Sequence, residues 1–186
     1  DFMGFIFYEP SPRFVGKDFQ VPDSFPTTIK RVGVFVNETK ERVLELIKKH
    51  HLDFVQLHGD ESVVYAEHLK EKGVGIIKAF RVDEYFDFAS TVPFQQVANY
   101  FLFDTKGKHY GGNAVSFDWN LLQKYTGVVS FFLSGGISNS SIINLQKFQH
   151  EKLFALDINS GVEIEAGRKD SNSIERLIES LNEIKS

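Results

Sequence analysis

Glycine-containing polar turns follow the last two apolar segments of this sequence, and their composition is that of anion-binding turns. Ser134-Gly135-Gly136-Ile137 follows one segment, and Asn159-Ser160-Gly161 follows the next. Glycine lets backbone N–H groups approach a phosphate closely, so two such turns on neighbouring strands predict a phosphate site. A single glycine turn is equally well explained as a structural turn, so the prediction depends on the pair.

Three other side chains near the ends of apolar segments are suited to chemistry. Asp104 follows the apolar segment Tyr100–Phe103. A partly desolvated acid there suits a general acid, and a carboxylate that caps the next loop is the alternative. Arg13 can hold a carboxylate with two parallel hydrogen bonds, or it is a solvated loop charge. His58 is a candidate catalytic residue, although a lone histidine is more often structural.

Composition excludes several classes of function. The 186 residues carry a net charge of -4 and include no cysteine. A nucleic-acid-binding protein would show a basic face, and a membrane span would need about 18 consecutive apolar residues, and neither is present. Disulfides and thiolate metal sites are excluded for these residues, and the six histidines are not spaced as zinc ligands. We therefore expect no nucleic acid, no membrane and no metal as partners.

Seven short apolar segments alternate with amphipathic segments along the chain. Continuous apolarity predicts strands that are buried on both faces of a parallel sheet, and a period near 3.6 residues predicts helices. The predicted strands are Gly4–Tyr8, Val32–Val36, Phe54–Leu57, Ile76–Phe80, Tyr100–Phe103, Ser130–Leu133 and Leu153–Ile158. The predicted helices are Glu41–His50, Glu61–Lys72, Ser138–Phe148 and Asp170–Ile184, with a weakly helical segment at Asp83–Asn99.

The spacing of these strands predicts a single α/β domain over residues 1–186. Strand centres recur about every 22–30 residues, which is the length of one βα unit. A (β/α)8 TIM barrel needs eight strands, so one βα unit is absent from the chain and would precede residue 1. An open doubly wound sheet is the alternative, although the first strand is not followed by the glycine fingerprint of that fold.

Motifs along nearly the whole chain resemble those of the phosphoribosylanthranilate isomerase family of tryptophan biosynthesis. In order they are GFIFYEPSPRFV, VGVFVNET, VQLHGDES, IKAFRV, FLFDTKGKHYGGNAVSFDW, FFLSGGI and ALDINSGVEIEAGRKD. The first and the fifth are the most specific. The resemblance implies an Amadori rearrangement of N-(5-phosphoribosyl)anthranilate to 1-(o-carboxyphenylamino)-1-deoxyribulose 5-phosphate. It also implies a barrel that needs no cofactor, a cytoplasmic location, and a monomer or homodimer.

The resemblance also assigns roles to individual residues. Asp104 matches the general acid that protonates the ribose ring oxygen, and Arg13 matches the arginine that holds the anthranilate carboxylate. His58 and Asp157 match residues that line the substrate pocket. The phosphate-binding turns of the family match Gly135, Gly136, Asn159, Ser160 and Gly161.

One departure from the family pattern concerns the general base. In the family this base is a cysteine at the end of the first barrel strand, and the present chain has no cysteine. We expect the first strand and helix, about 25–35 residues long, to precede Asp1, and a polypeptide without them to be inactive. Two alternatives remain open: a phosphate-ligand-binding barrel without catalysis, and another phosphate-binding barrel enzyme such as indole-glycerol-phosphate synthase.

Overall fold

Internal contacts divide the chain into two compact units. The computed structural model describes residues 1–105, 108–110, 114–116 and 118–183. The first unit comprises residues 1–79 and 93–101, and the second comprises residues 80–92 and 102–186. Within the residues that the structure describes, no helix is long and apolar enough to cross a membrane.

The first unit is built on parallel strands. Its strands are β1 (Phe2–Ile6), β2 (Lys30–Phe35), β3 (Phe54–Leu57), the first part of β4 (Gly75–Val82) and the start of β5 (Tyr100–Thr105). They are adjacent in that order, and β1 to β4 pair in parallel. The parallel pairing that continuous apolarity predicts is therefore confirmed in this unit, with β1 two residues earlier than the sequence suggested.

Two capped helices connect these strands. Helix α1 (Lys40–His50) begins after Thr39, whose Oγ1 accepts the Arg42 N–H at 3.3 Å. Helix α2 (Val63–Lys70) begins after Ser62, whose Oγ accepts the Tyr65 N–H at 3.2 Å. Such caps satisfy N–H groups that have no partner inside a helix. Both predicted helices are confirmed, although α2 is shorter at each end than the sequence suggested.

The second unit contains the remaining elements. It continues β4 and β5, which are followed in the sheet order by β8 and β9, and the pair β8–β9 is parallel. Its other elements include two antiparallel hairpins, β6–β7 and β10–β11. In chain order the elements after β5 are β6 (Lys108–Tyr110), β7 (Ala114–Ser116), a 3-10 helix (Trp119–Lys124), β8 (Phe131–Ser134), a 3-10 turn (Asn139–Ser141), α3 (Ile142–Lys147), β9 (Leu153–Leu156), a 3-10 turn (Ser160–Val162), β10 (Glu163–Glu165), β11 (Arg168–Lys169) and α4 (Ser171–Glu183).

The weakly helical segment that the sequence predicted at 83–99 is a 3-10 helix at Phe88–Phe94. Pro93 lies inside it, and proline has no N–H to donate within a helix. The helix predicted at Ser138–Phe148 is divided in the structure into a 3-10 turn and the six residues of α3 that follow it. Both differences concern the regularity of predicted helices rather than their position.

Aromatic rings form the core of each unit. In the first unit Phe7 stacks on Phe35, with ring centroids 5.4 Å apart, and on His50 at 5.2 Å. In the second unit Phe103 contacts Tyr125 and Phe131, each at 5.0 Å. Aromatic side chains bury large apolar areas and gain further energy from edge-to-face contact, so these clusters hold the strands rigidly.

Candidate active site

Hydrogen bonds join the carboxyl ends of β5, β8 and β9 in the second unit. The Thr105 hydroxyl donates to the Ser134 carbonyl oxygen at 3.1 Å, and the Ser134 hydroxyl donates to Asp157 Oδ2 at 2.9 Å. The Asp157 N–H donates to the Leu133 carbonyl oxygen at 2.8 Å. Thr105 and Ser134 are buried. The structure therefore brings the predicted pocket residue Asp157 to the end of the strand that precedes the first glycine turn.

Asp104 lies one residue before Thr105 on β5 and is half-buried. Successive side chains of a strand point to opposite faces, so Asp104 shares a face with Leu102 and lies opposite Phe103 and Thr105. Phe103 is fully buried in the aromatic core. A side chain on such a rigidly packed strand is held more precisely than one on a loop, which suits a catalytic group.

The first glycine turn has a backbone that other residues adopt only with strain. Gly135 and Gly136 have φ angles of +95° and +68°. A Cβ atom at Gly135 would collide with the carbonyl oxygen of Thr105. The indole N–H of Trp119 donates to the Gly135 carbonyl oxygen at 3.1 Å, which holds the turn from its other side. Glycine is therefore required here both by conformation and by close approach to β5.

The second glycine turn contacts the first. A Cβ atom at Gly161 would collide with the carbonyl oxygen of Ile137, so the two backbones touch. Among the described residues, none accepts a hydrogen bond from the N–H groups of Gly136, Ser160 or Gly161. The paired turns that the sequence predicted are thus adjacent, and they present backbone N–H groups of the kind that bind phosphate.

Arg13 and His58 lie in the first unit, after the carboxyl ends of β1 and β3 respectively. The Arg13 N–H donates to Ser11 Oγ at 3.1 Å, which closes the turn before this side chain. His58 Nδ1 lies 3.0 Å from the amide nitrogen of Gln56. Because an amide nitrogen only donates, Nδ1 accepts, and a neutral His58 ring carries its proton on Nε2.

A buried ion pair after β3 was missed by the sequence reasoning. Lys78 Nζ lies 3.1 Å from Glu61 Oε2, and their side chains are 5% and 2% exposed. Nζ also donates to the carbonyl oxygens of Leu57 at 3.2 Å and Gly59 at 2.6 Å. Burial lowers the pKa of Lys78, and Glu61 opposes this shift. The sequence does hold a signal, because Lys78 interrupts the otherwise apolar predicted strand Ile76–Phe80.

Glu61 organises the same turn through backbone N–H groups. Its Oε1 accepts the Asn37 N–H at 2.8 Å, and its Oε2 accepts the Gly59 N–H at 3.0 Å. Asn37 has a φ of 52° and its Oδ1 accepts the Asp60 N–H at 2.7 Å. The segment that carries His58 is therefore fixed by charge-assisted hydrogen bonds, which are stronger than neutral ones.

Parts of the predicted site fall outside the described residues. The predicted general base precedes residue 1, and residues 106, 107, 111–113 and 117 of the motif FLFDTKGKHYGGNAVSFDW are not described. Among the described residues, no three His, Asp or Glu side chains are grouped so that they could hold a metal ion.

Comparison with known proteins identifies the same family that the sequence motifs indicated. The family model for N-(5'phosphoribosyl)anthranilate (PRA) isomerase matches residues 1–180. The N-(5'-phosphoribosyl)anthranilate isomerase of Parabacteroides distasonis is 40% identical over 97% of this chain and 83% of its own length. That of Phocaeicola vulgatus is 39% identical over 98% of this chain and 88% of its own length.

Solved structures show the same likeness. Phosphoribosyl anthranilate isomerase from Thermotoga maritima superimposes with a TM-score of 0.82 at 32% identity, over 98% of this chain and 88% of that one. A phosphoribosyl anthranilate isomerase in complex with reduced 1-(o-carboxyphenylamino)-1-deoxyribulose 5-phosphate gives a TM-score of 0.80 at 30% identity, over the same shares of the two chains. The fold is therefore α/β of the TIM-barrel type, and the chain belongs to the N-(5'-phosphoribosyl)anthranilate isomerase family.

Proposed function

We propose that this protein converts N-(5-phosphoribosyl)anthranilate to 1-(o-carboxyphenylamino)-1-deoxyribulose 5-phosphate in tryptophan biosynthesis. One observation carries the proposal: the turn at Gly161 lies against Ile137 of the preceding turn. These turns follow β9 and β8, which come after β5, the strand that carries Asp104, in the sheet order. This arrangement provides an anion site and an acid within one unit. The family membership and the product-like ligand of one structural relative support it.

The phosphate group of the substrate binds the two glycine turns in this proposal. Gly135 and Gly136 supply one turn, and Asn159, Ser160 and Gly161 supply the other. Their backbone N–H groups carry partial positive charge and need no side chain to reach the phosphate oxygens. Fixed donors at this end of the substrate orient its sugar for reaction.

Asp104 is the general acid of the proposed reaction. It donates a proton to the ribose ring oxygen, the bond from that oxygen to C1′ breaks, and the nitrogen lone pair forms a Schiff base with C1′. A base then removes the C2′ proton, and the resulting enamine tautomerises to the ketose amine. Each of these steps moves a proton to or from a defined atom, which is the work of positioned acids and bases.

The general base and the remaining contacts follow from the family resemblance. The base is the family's cysteine, on a first βα unit that we propose completes a (β/α)8 barrel of one domain. Arg13 holds the anthranilate carboxylate, and the substrate pocket includes His58 and Asp157. We also propose that the protein acts in the cytoplasm without a cofactor or metal.

The experiment that tests this function uses the full-length natural protein with its upstream cysteine. We expect it to convert N-(5-phosphoribosyl)anthranilate to the ketose product. Chromatography that separates the two compounds measures this conversion. A variant with alanine at that cysteine is expected to bind product and to lose turnover. Tight binding of the product by an inactive wild-type protein would favour the alternative, a phosphate-ligand-binding barrel without catalysis.

A homodimer and a monomer remain two proposals for the assembly. One structural relative, the Thermotoga maritima protein studied as generated monomers, is dimeric in its natural form. Sedimentation of the full-length protein decides between the two states.

A further inference from the structure

The hairpin of β10 and β11 directly follows the second glycine turn. Glu163 and Lys169 face each other as cross-strand partners in its register. The Asp170 N–H donates to the Val162 carbonyl oxygen at 2.8 Å, which ties the base of the hairpin to the end of the turn. The hairpin therefore extends the turn at Asn159 and returns the chain to it.

Lys169 reaches back from this hairpin to Asn159. Its Nζ donates to the Asn159 carbonyl oxygen at 3.1 Å and to Asn159 Oδ1 at 2.5 Å. It also donates to Glu163 Oε1 at 2.8 Å. A lysine ammonium has three donors, and three acceptors are thus already engaged. A direct phosphate ligand would need these donors for the phosphate oxygens, whereas Lys169 uses two of them to bind Asn159 in the second glycine turn.

Glu163 holds this ammonium in place. Its side chain is 5% exposed, compared with 38% for Lys169. Its Oε1 also accepts the Gly167 N–H at 3.1 Å, and Gly167 has a φ of +86° that forms the tip of the hairpin. One carboxylate therefore closes the hairpin and fixes the lysine.

We propose that Lys169 is a positioning residue of the phosphate site, which acts through Asn159. The lysine fixes the backbone and the amide of Asn159, and this holds the next two N–H groups, those of Ser160 and Gly161, in the geometry that binds phosphate. The inference rests on the proposed function, because it assigns that turn to the phosphate group. It adds a role for Lys169, which lies within the motif ALDINSGVEIEAGRKD but was assigned no role from the sequence.

The hairpin provides its own matched control in Arg168. This neighbouring residue carries the same charge, and its Nη1 lies 3.6 Å from Glu165 Oε1 in a pair that is 69% and 67% exposed. Arg168→Met therefore removes one positive charge from the same hairpin without removing a contact to Asn159. A general effect of charge would appear in this variant as well as in Lys169→Met.

The test compares three variants of the full-length protein. In Lys169→Met we expect KM and the dissociation constant for inorganic phosphate to rise about tenfold, with kcat changed by less than about threefold, because the lost bonds act on binding. Lys169→Arg should recover affinity to within about threefold, since guanidinium also donates to several oxygens. Arg168→Met should match the wild type in both constants.

Hydrogen exchange of the amides of residues 159–161 provides a readout that is independent of catalysis. We expect faster exchange in Lys169→Met than in the wild type and in Arg168→Met. Unchanged exchange and unchanged phosphate affinity in Lys169→Met would overturn the positioning role, as would an equal loss of affinity in Arg168→Met. A wild-type protein that binds phosphate but converts no substrate would overturn the proposed function, and the affinity and exchange comparisons would still decide the role of Lys169.

Discussion

The turn after β3 is held by a buried ion pair, whereas the turns after β8 and β9 depend on glycines that lie directly against backbone carbonyl oxygens. In the first unit, Lys78 and Glu61 are almost completely buried and bind the backbone around Gly59. In the second, Gly135 and Gly161 let backbones approach so closely that a single added carbon would collide. Hydrogen bonds contribute to all three turns, but a buried ion pair supports only the turn after β3 among these described turns.

The difference matters because the two means fail in different ways. Loss of one partner of the ion pair leaves the other charge buried and unpaired, which lowers the free energy of unfolding. An added methyl group at a close backbone contact shifts the backbone itself, and so changes the direction of its N–H groups. Variants that remove one charge of the buried Lys78–Glu61 pair should therefore act mainly on the stability of the turn after β3. Variants that add volume should act mainly on the phosphate affinity of the second unit.

The largest expected effect lies in the acid beside the glycine turns. In the full-length enzyme, Asp104→Asn should lower the rate by about 10²–10⁴, because asparagine keeps the shape but cannot deliver a proton. Product affinity should stay within about tenfold, since the lost interaction belongs to the transition state. The measurement is kcat together with the product dissociation constant, and Asp83→Asn, on an exposed loop, is the control. Retention of more than about a tenth of the rate would make Asp157 the next candidate.

The second prediction concerns the contribution of the buried ion pair in the first unit to the free energy of unfolding. Glu61→Gln should lower the free energy of unfolding by about 3–5 kcal/mol, because it leaves the Lys78 ammonium buried without its partner. The double variant Glu61→Gln with Lys78→Met should recover part of this loss, since no uncompensated charge remains. Urea unfolding of the wild type, the single variant and the double variant measures both effects. Equal losses in the double and the single variant would show that the charge balance is not what holds this turn.

The third prediction concerns volume. Gly161→Ala should destabilise the protein by about 1–3 kcal/mol and weaken phosphate binding, because its Cβ has no room beside the Ile137 carbonyl. Gly73→Ala is the matched control, since Gly73 has a φ of +86° but open space around a built Cβ. It should cost about 1–2 kcal/mol through its backbone angle alone and leave phosphate affinity unchanged. Equal phosphate affinity in both variants would contradict the close contact between the two turns.

The sequence predicted the positions of these turns, but it did not predict the side-chain contacts that hold them in place. Apolar segments indicated the strands, and glycines in polar segments indicated the turns, because both signals are local. The contact between Lys78 and Glu61 joins residues 17 positions apart. An apolar strand that contains a lysine predicts a partner without identifying it. The roles of Asp104 and Arg13 came from the family motifs and stay predictions.

The hairpins were missed for a related reason. Residues 108–110, for which the apolar pattern predicted no strand, pair with residues 114–116 as antiparallel strands. Strands β10 and β11 have three and two residues and carry mainly charged side chains. Such strands lack the apolar alternation that marks a half-buried strand, so sequence reasoning had no period to detect. Their function in the structure is to return Lys169 to Asn159.

The smallest expected effect on stability comes from an ion pair that is not buried, and it contrasts with the large effect expected for the buried pair of Lys78 and Glu61. Lys30 Nζ lies 3.0 Å from Asp53 Oδ1, with side chains 51% and 34% exposed. Burial raises the pKa of Asp53, but the hydrogen bonds from the Arg31 N–H and from Lys30 outweigh it, so the net pKa is below the ordinary value of 3.8. Because solvent screens this pair, we expect Asp53→Asn to cost less than about 1 kcal/mol at neutral pH.

The sign of its pH dependence follows from that lowered pKa. A carboxyl that binds protons less readily in the folded state stabilises the fold above its unfolded pKa, near 3.8, and loses this contribution as pH falls through the lower folded value. The difference in unfolding free energy between wild type and Asp53→Asn should thus be constant between about pH 5 and 7 and shrink below about pH 4. Urea unfolding at each pH measures it. A difference that instead grew toward acid would mean that the Asp53 carboxyl is held by burial rather than by its hydrogen-bond donors.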